Sequence, residues 1–210
     1  MGSEEDEVDF YSEYYRFFQK MAESTPKTMV PDDRVALYPK SNERLKAIIQ
    51  KVPLTSKVLF DYKIGMGMSK DWKWWALEMM EKGMETPGIV QLAGEDLDMN
   101  FLEFNSLVCN IFQELGIDLS NDDVYYQYAL SIAHQVVNGE ISSEKGFEIL
   151  TSAAIDTGDH DAFMNFYYIK DDADLIRDGY SAFFCDGSMR KDNIEEWMYQ
   201  YFEKLIKINE

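Results

Sequence analysis

Three observations predict an all-α fold, a multi-helix orthogonal bundle. Apolar residues recur at i, i+3, i+4 and i+7 through most of the chain, one face of an α-helix at a time. Ser, Thr, Asp or Asn stands before most of these stretches, where a side-chain oxygen can accept from an unpaired backbone N–H. Glycine follows most of them, where a left-handed residue closes a helix. Helix–Gly–helix pairs recur over 70–158 without a fixed period, so helical-repeat-like pairs are the alternative arrangement.

The elements follow in order. Phe10, Tyr14, Phe17, Phe18 and Met21 predict a first helix over 6–23. Pro26, Pro31 and Pro39 make 25–40 a connector, with a short turn at 32–37. Ser41 caps a helix to Val52, which Pro53 ends. The stretch TSKVLFDYKIGMGM over 55–68 fits a short strand or a helical turn. Ser69 or Asp71 opens a helix closed by Gly83, with Trp72, Trp75, Ala76, Met79 and Met80 on its apolar side. Thr86-Pro87 starts a short helix, since proline suits the first helical position. Asn100 opens the next, to Leu115.

The stretch NDDVYYQYALSIAHQVVNG over 121–139 is the expected centre of packing. Tyr125, Tyr128, Ala129, Ile132, Ala133 and Val136 share one broad face, with Gln127, Ser131, His134 and Asn138 as a polar stripe opposite. Ser120 or Asn121 is its cap candidate. Ser142 or Ser143 caps a helix to Ile155. Short helices follow at 161–169 and 173–177, then an irregular stretch over 179–190 and a last helix opened by Asp192 or Asn193. A boundary falls near 69/70, with 1–69 as an N-terminal helical segment packed on a main domain over 70–210.

The formal charge is −19 and the isoelectric point about 4.4. Such a field repels nucleic-acid phosphates and anionic lipid and attracts basic partners. The hydrophobic share of 46% suffices for a packed core, and no segment is apolar enough to span a membrane. The acidic start is unlike a signal peptide, and the expected compartment is the cytoplasm. Two cysteines are no disulfide framework; Cys109, in the apolar run 107–112, reads as a small core residue, and Cys185 as a loop residue.

The motifs that could carry chemistry are incomplete. Gly65 and Gly67 lack the third glycine of a dinucleotide loop, since residue 70 is Lys. Asp118, Ser120 and Asp122 match the start of a calcium loop, which fails at Asp123 and Ala129. Asp159, His160 and Asp161 could serve an acid–base or metal site, but their contiguous spacing fits a helix cap by Asp159 better. Asp171, Asp172 and Asp174 read as a capped helix start. No cofactor and no metal is expected. Trp72 and Trp75 belong to a core, and Trp74 points elsewhere, to a surface contact.

Trp75 to Gly83 (WALEMMEKG), Thr86-Pro87, Leu92-Ala93-Gly94, Glu114 to Ile117 (ELGI), Ile132-Ala133, Gly139-Glu140-Ile141 and Gly146 form a pattern over 70–180. It resembles a family of small bacterial all-helical proteins akin to immunity proteins of toxin systems. The resemblance implies a helical fold and protein binding, and carries no catalytic residues.

The expected function is therefore a non-catalytic, cytosolic protein-interaction module, immunity-type, whose acidic surface occludes a basic partner. Its candidate contacts are Trp74 and the carboxylates Glu95, Asp96, Asp98, Asp122, Asp123, Asp171, Asp172 and Asp174. The alternatives are a carboxylate-dependent enzyme using Asp159, His160 and Asp161, and a structural or regulatory subunit.

Overall fold

The structure, a computed structural model, describes residues 30–31, 34–96, 98–118 and 122–209. Among them are nine helices and no strand. They are α1 (Glu43–Lys51), α2 (Leu54–Lys63), α3 (Lys70–Glu81), α4 (Pro87–Gly94), α5 (Phe101–Glu114), α6 (Asp123–Val137), α7 (Ser143–Asp156), α8 (Asp161–Arg177) and α9 (Ile194–Asn209). The helix expected over 6–23 and the caps Ser120 and Asn121 lie outside the described residues.

Two compact units emerge, one over 38–131 and the other gathering 132–209 with the described part of 30–37. Helices α1 and α2 share a unit with α3 to α5. The continuous helix α6 gives its first residues to one unit and its last to the other.

In the first unit, α1 to α5 pack in succession. The ambiguous stretch is helix α2, because Val58, Leu59 and Phe60 are all buried, which an alternating strand would not allow. Trp72 and Trp75 are fully buried, their rings edge to face with centroids 5.5 Å apart. The Trp75 indole N–H donates to Thr55 Oγ1 at 2.8 Å, so this large ring is buried without an orphaned donor. Phe60 stacks on Tyr128 at 4.1 Å. The N-terminus of α4 presses against α5: the Gly88 N–H donates to Glu114 Oε2 at 3.0 Å. A Cβ at Gly88 would lie 2.6 Å from the Ile111 side chain. That contact fixes one end of α4, and its other end opens onto the candidate site.

The cap of α1 is Asn42, which accepts from the N–H groups of Arg44 and Leu45, rather than Ser41. Ser41 is buried and accepts from Gln127 Nε2 at 2.9 Å. Gln127 therefore leaves the predicted polar stripe of α6 for the interior, satisfied by a hydroxyl that pattern alone cannot see. Cys109 is exposed rather than core, since it shares with Asn105 the side of α5 that carries the Tyr62 hydroxyl.

In the second unit, α7 and α8 form a close pair, and α9 packs on α7. Phe147, Phe166, Tyr201 and Phe202 make its centre, with ring centroids 5.0 to 6.4 Å apart. Gly146 permits this packing. A Cβ there would lie 2.6 Å from Val136 Cγ2 and 2.9 Å from Phe202 Cζ.

Helix α8 corrects two expectations. It is one helix across 161–177, not two, and Asp171, Asp172 and Asp174 lie inside it rather than at a start. Lys170 and Arg177 both pair with Asp174 one turn away, which offsets the poor helix propensity of the acidic run. Its N-cap is His160, whose Nδ1 accepts from the Ala162 N–H at 3.1 Å. Asp159 does not cap; it takes a left-handed backbone, φ 65°, directly after left-handed Gly158.

Candidate acidic cleft

The connection from α4 to α5 builds a cleft of about 430 Å³. Gln91 and Glu95 come from the end of α4, Asp96, Asp98 and Met99 from the connection, and Asn100 and Glu103 from the start of α5. Local chemistry places them. Asn100 Oδ1 accepts from the Glu103 N–H at 3.0 Å, which starts α5 and directs Glu103 to its first turn. Negative charge there suits the helix dipole. Gln91 Nε2 donates to Glu95 Oε1 at 3.0 Å.

Four carboxylates thus face one opening: Glu95, Asp96, Asp98 and Glu103. Among the described residues, none of them pairs with a lysine or arginine. No group of three or more His, Cys, Asp or Glu side chains stands close enough to hold a metal ion among the described residues. The arrangement can attract cationic groups and accept hydrogen bonds from them.

Glu95, Asp96 and Asp98 are three of the carboxylates predicted from sequence, and the structure brings them together. Sequence reading missed Gln91, Asn100 and Glu103, although the Asn-x-x-Glu spacing is a capping-box signal for the last two. The other candidates lie apart from that cleft's lining. Asp122 is exposed, and Asp123 Oδ2 accepts from the Asn42 N–H at 2.9 Å, tying α6 to α1. Asp171 is exposed on α8. Burial alone would raise the Asp174 carboxyl, but hydrogen bonds from Lys170 and Arg177 outweigh it and hold the group below the usual range. Trp74 is 64% exposed, as its offset from Trp72 and Trp75 predicts, with exposed Leu77 one turn on.

Asp172 is no surface carboxylate: it is 2% exposed. Its two oxygens accept from the backbone N–H groups of Phe183, Phe184 and Cys185 at 2.7, 2.8 and 2.6 Å. The irregular stretch after α8 is thereby fastened to the helix. Burial, reinforced by the negative charge of Asp172, pushes the Cys185 thiol far above its ordinary value. Burial, then the Cys109 contact, pushes Tyr62 up to about 12.

The residues of the alternative catalytic reading do not join this cleft. His160 gives its Nδ1 lone pair to the cap of α8, and Asp159 and Asp161 are exposed on either side of it. No helix among the described residues is long and apolar enough to cross a membrane. Comparison with models of protein families, with curated proteins and with solved structures finds no match.

Proposed function

We propose that the chain is a non-catalytic protein-interaction module that binds a basic partner through the cleft between α4 and α5, in the manner of an immunity protein occluding a toxin. The observation that supports this reading is the set of four carboxylates around one opening, none paired with a cation among the described residues. A formal charge of −19 adds long-range attraction for a cationic surface. Two free thiols and no disulfide fit a reducing, cytosolic setting. Neither nucleic acid nor membrane is an expected partner at this charge.

The experiment is affinity capture with the wild-type chain and with a Glu95→Ala/Asp96→Ala/Asp98→Ala variant, at low and high salt. The reading expects a basic protein, retained at low salt, released at high salt and lost by the variant. Neutral or acidic partners, or capture indifferent to the variant, would contradict it.

The exposed pair Trp74 and Leu77 favours a second reading, a structural or regulatory subunit. That reading expects Trp74→Ala, not the cleft variant, to abolish capture.

A further inference from the structure

In the second unit, Arg34, Val35 and Ala36 pack on α8 and α9 without belonging to an α-helix themselves. Side chains of the two helices hold them by the main chain. Asn165 Nδ2, on α8, donates to the Arg34 carbonyl at 3.2 Å. Asn209 Nδ2, at the end of α9, donates to the Ala36 carbonyl at 2.9 Å and to its own helix at the Leu205 carbonyl at 2.8 Å. The Arg34 guanidinium carbon lies 5.1 Å from the centroid of the Phe184 ring. Val35 is buried between these two anchors, and Leu37, which follows them, is 76% exposed.

Tyr201 of α9 lies at the same place and is fully buried. Its hydroxyl comes near the Asn165 side chain and the Ala36 backbone, yet makes no hydrogen bond of good geometry among the described residues. Buried hydroxyls nearly always find a partner, and one left without costs as much as one or two ordinary hydrogen bonds contribute. Water satisfies it once Ala36 moves away. The closed position is thus held by two neutral hydrogen bonds, one cation–ring contact and one small apolar side chain. The orphaned hydroxyl opposes it. The aromatic centre of the same unit meets no such opposition, since Phe147, Phe166 and Phe202 are fully buried and carry no polar side-chain atom. Native proteins open locally where buried contacts are few.

We propose that 34–37 is a releasable strap, which lifts from α8 and α9 while those helices stay folded, and that the Tyr201 hydroxyl sets how readily it lifts. Release uncovers the donors of Asn165, Tyr201 and Asn209 and one face of the Phe184 ring. The strap is independent of the acidic cleft, which lies in the other unit.

The test is native-state thiol labelling of the full chain carrying a reporter in the strap, Val35→Cys, with the labelled site mapped by mass spectrometry. Loss of helix in the same protein is followed by circular dichroism. The reporter should label at least about tenfold faster than global unfolding allows, and with a weaker dependence on urea, because opening a strap exposes little surface. Adding Tyr201→Phe, which removes the orphaned hydroxyl, should slow that labelling about fivefold. Trypsin gives a second measurement that needs no reporter. It should cut the native wild-type chain after Arg34 before it cuts after Lys170 or Arg177 in α8, and cut after Arg34 more slowly in Tyr201→Phe. Labelling of Val35→Cys only at the rate and urea dependence of global unfolding overturns the proposal. So does labelling, or cleavage after Arg34, that Tyr201→Phe leaves unchanged or speeds.

Discussion

Asp172 Oδ2 lies 2.6 Å from the backbone nitrogen of Cys185, which donates to it. One buried side chain in the middle of α8 thus organises a stretch more than ten residues further along the chain. Asp172→Ala should leave three backbone donors without their acceptor and lower stability by about 3 kcal/mol or more. Asp172→Asn, which keeps one carbonyl oxygen, should lose less. Urea unfolding of the three proteins measures the difference.

The same clamp makes a thiol prediction. Cys109 is exposed and Cys185 is buried beside Asp172. A thiol reagent should modify Cys109 alone in the native wild-type chain and both cysteines in Asp172→Ala. Mass spectrometry after brief labelling reads the count. Equal labelling of both cysteines in native wild type would contradict the burial.

Gly146 admits no side chain without displacing Val136 or Phe202. Overpacking costs roughly 1–3 kcal/mol, and the better helix propensity of alanine returns less than about 1. Gly146→Ala should therefore lower stability by about 1–2 kcal/mol, seen as a lower melting temperature.

Thr55→Val keeps the shape of the side chain and removes the acceptor for the buried Trp75 indole. The orphaned donor should cost roughly 1–3 kcal/mol. A variant as stable as wild type would show that the hydrogen bond adds nothing.

Tyr62 and Tyr201 are both pushed up to about 12, chiefly by burial. A raised folded value means that the folded chain holds these protons more tightly than the unfolded chain. Their contribution to stability is complete below the ordinary tyrosine value of about 10 and is lost as pH rises toward 12. Ultraviolet titration should show most tyrosines ionising before these. Tyr201→Phe should flatten the alkaline loss of stability while leaving stability near neutral pH within about 1 kcal/mol.

The helices were readable because their signals are local. Asn100 caps, Gly116 and Gly139 take left-handed backbone, and Trp72 and Trp75 repeat on one face. The misreadings arise where a distant group decides. Asp172 looks like a helix-start acid until Phe183 to Cys185 are seen to donate to it. Gln127 looks polar and outward until Ser41 meets it. Three of the cleft's four carboxylates were legible, as Glu95, Asp96 and Asp98 are near in sequence. Glu103 joins them only through the placement of α4 against α5.

The proposed function is electrostatic capture of a basic partner by the cleft. Its most direct test is the association rate of the captured partner measured across ionic strength, for wild type and for Glu95→Ala/Asp96→Ala/Asp98→Ala. The rate should fall steeply with salt for wild type and show a lower, flatter dependence for the variant. Equal rates for the two proteins, insensitive to salt, would contradict it.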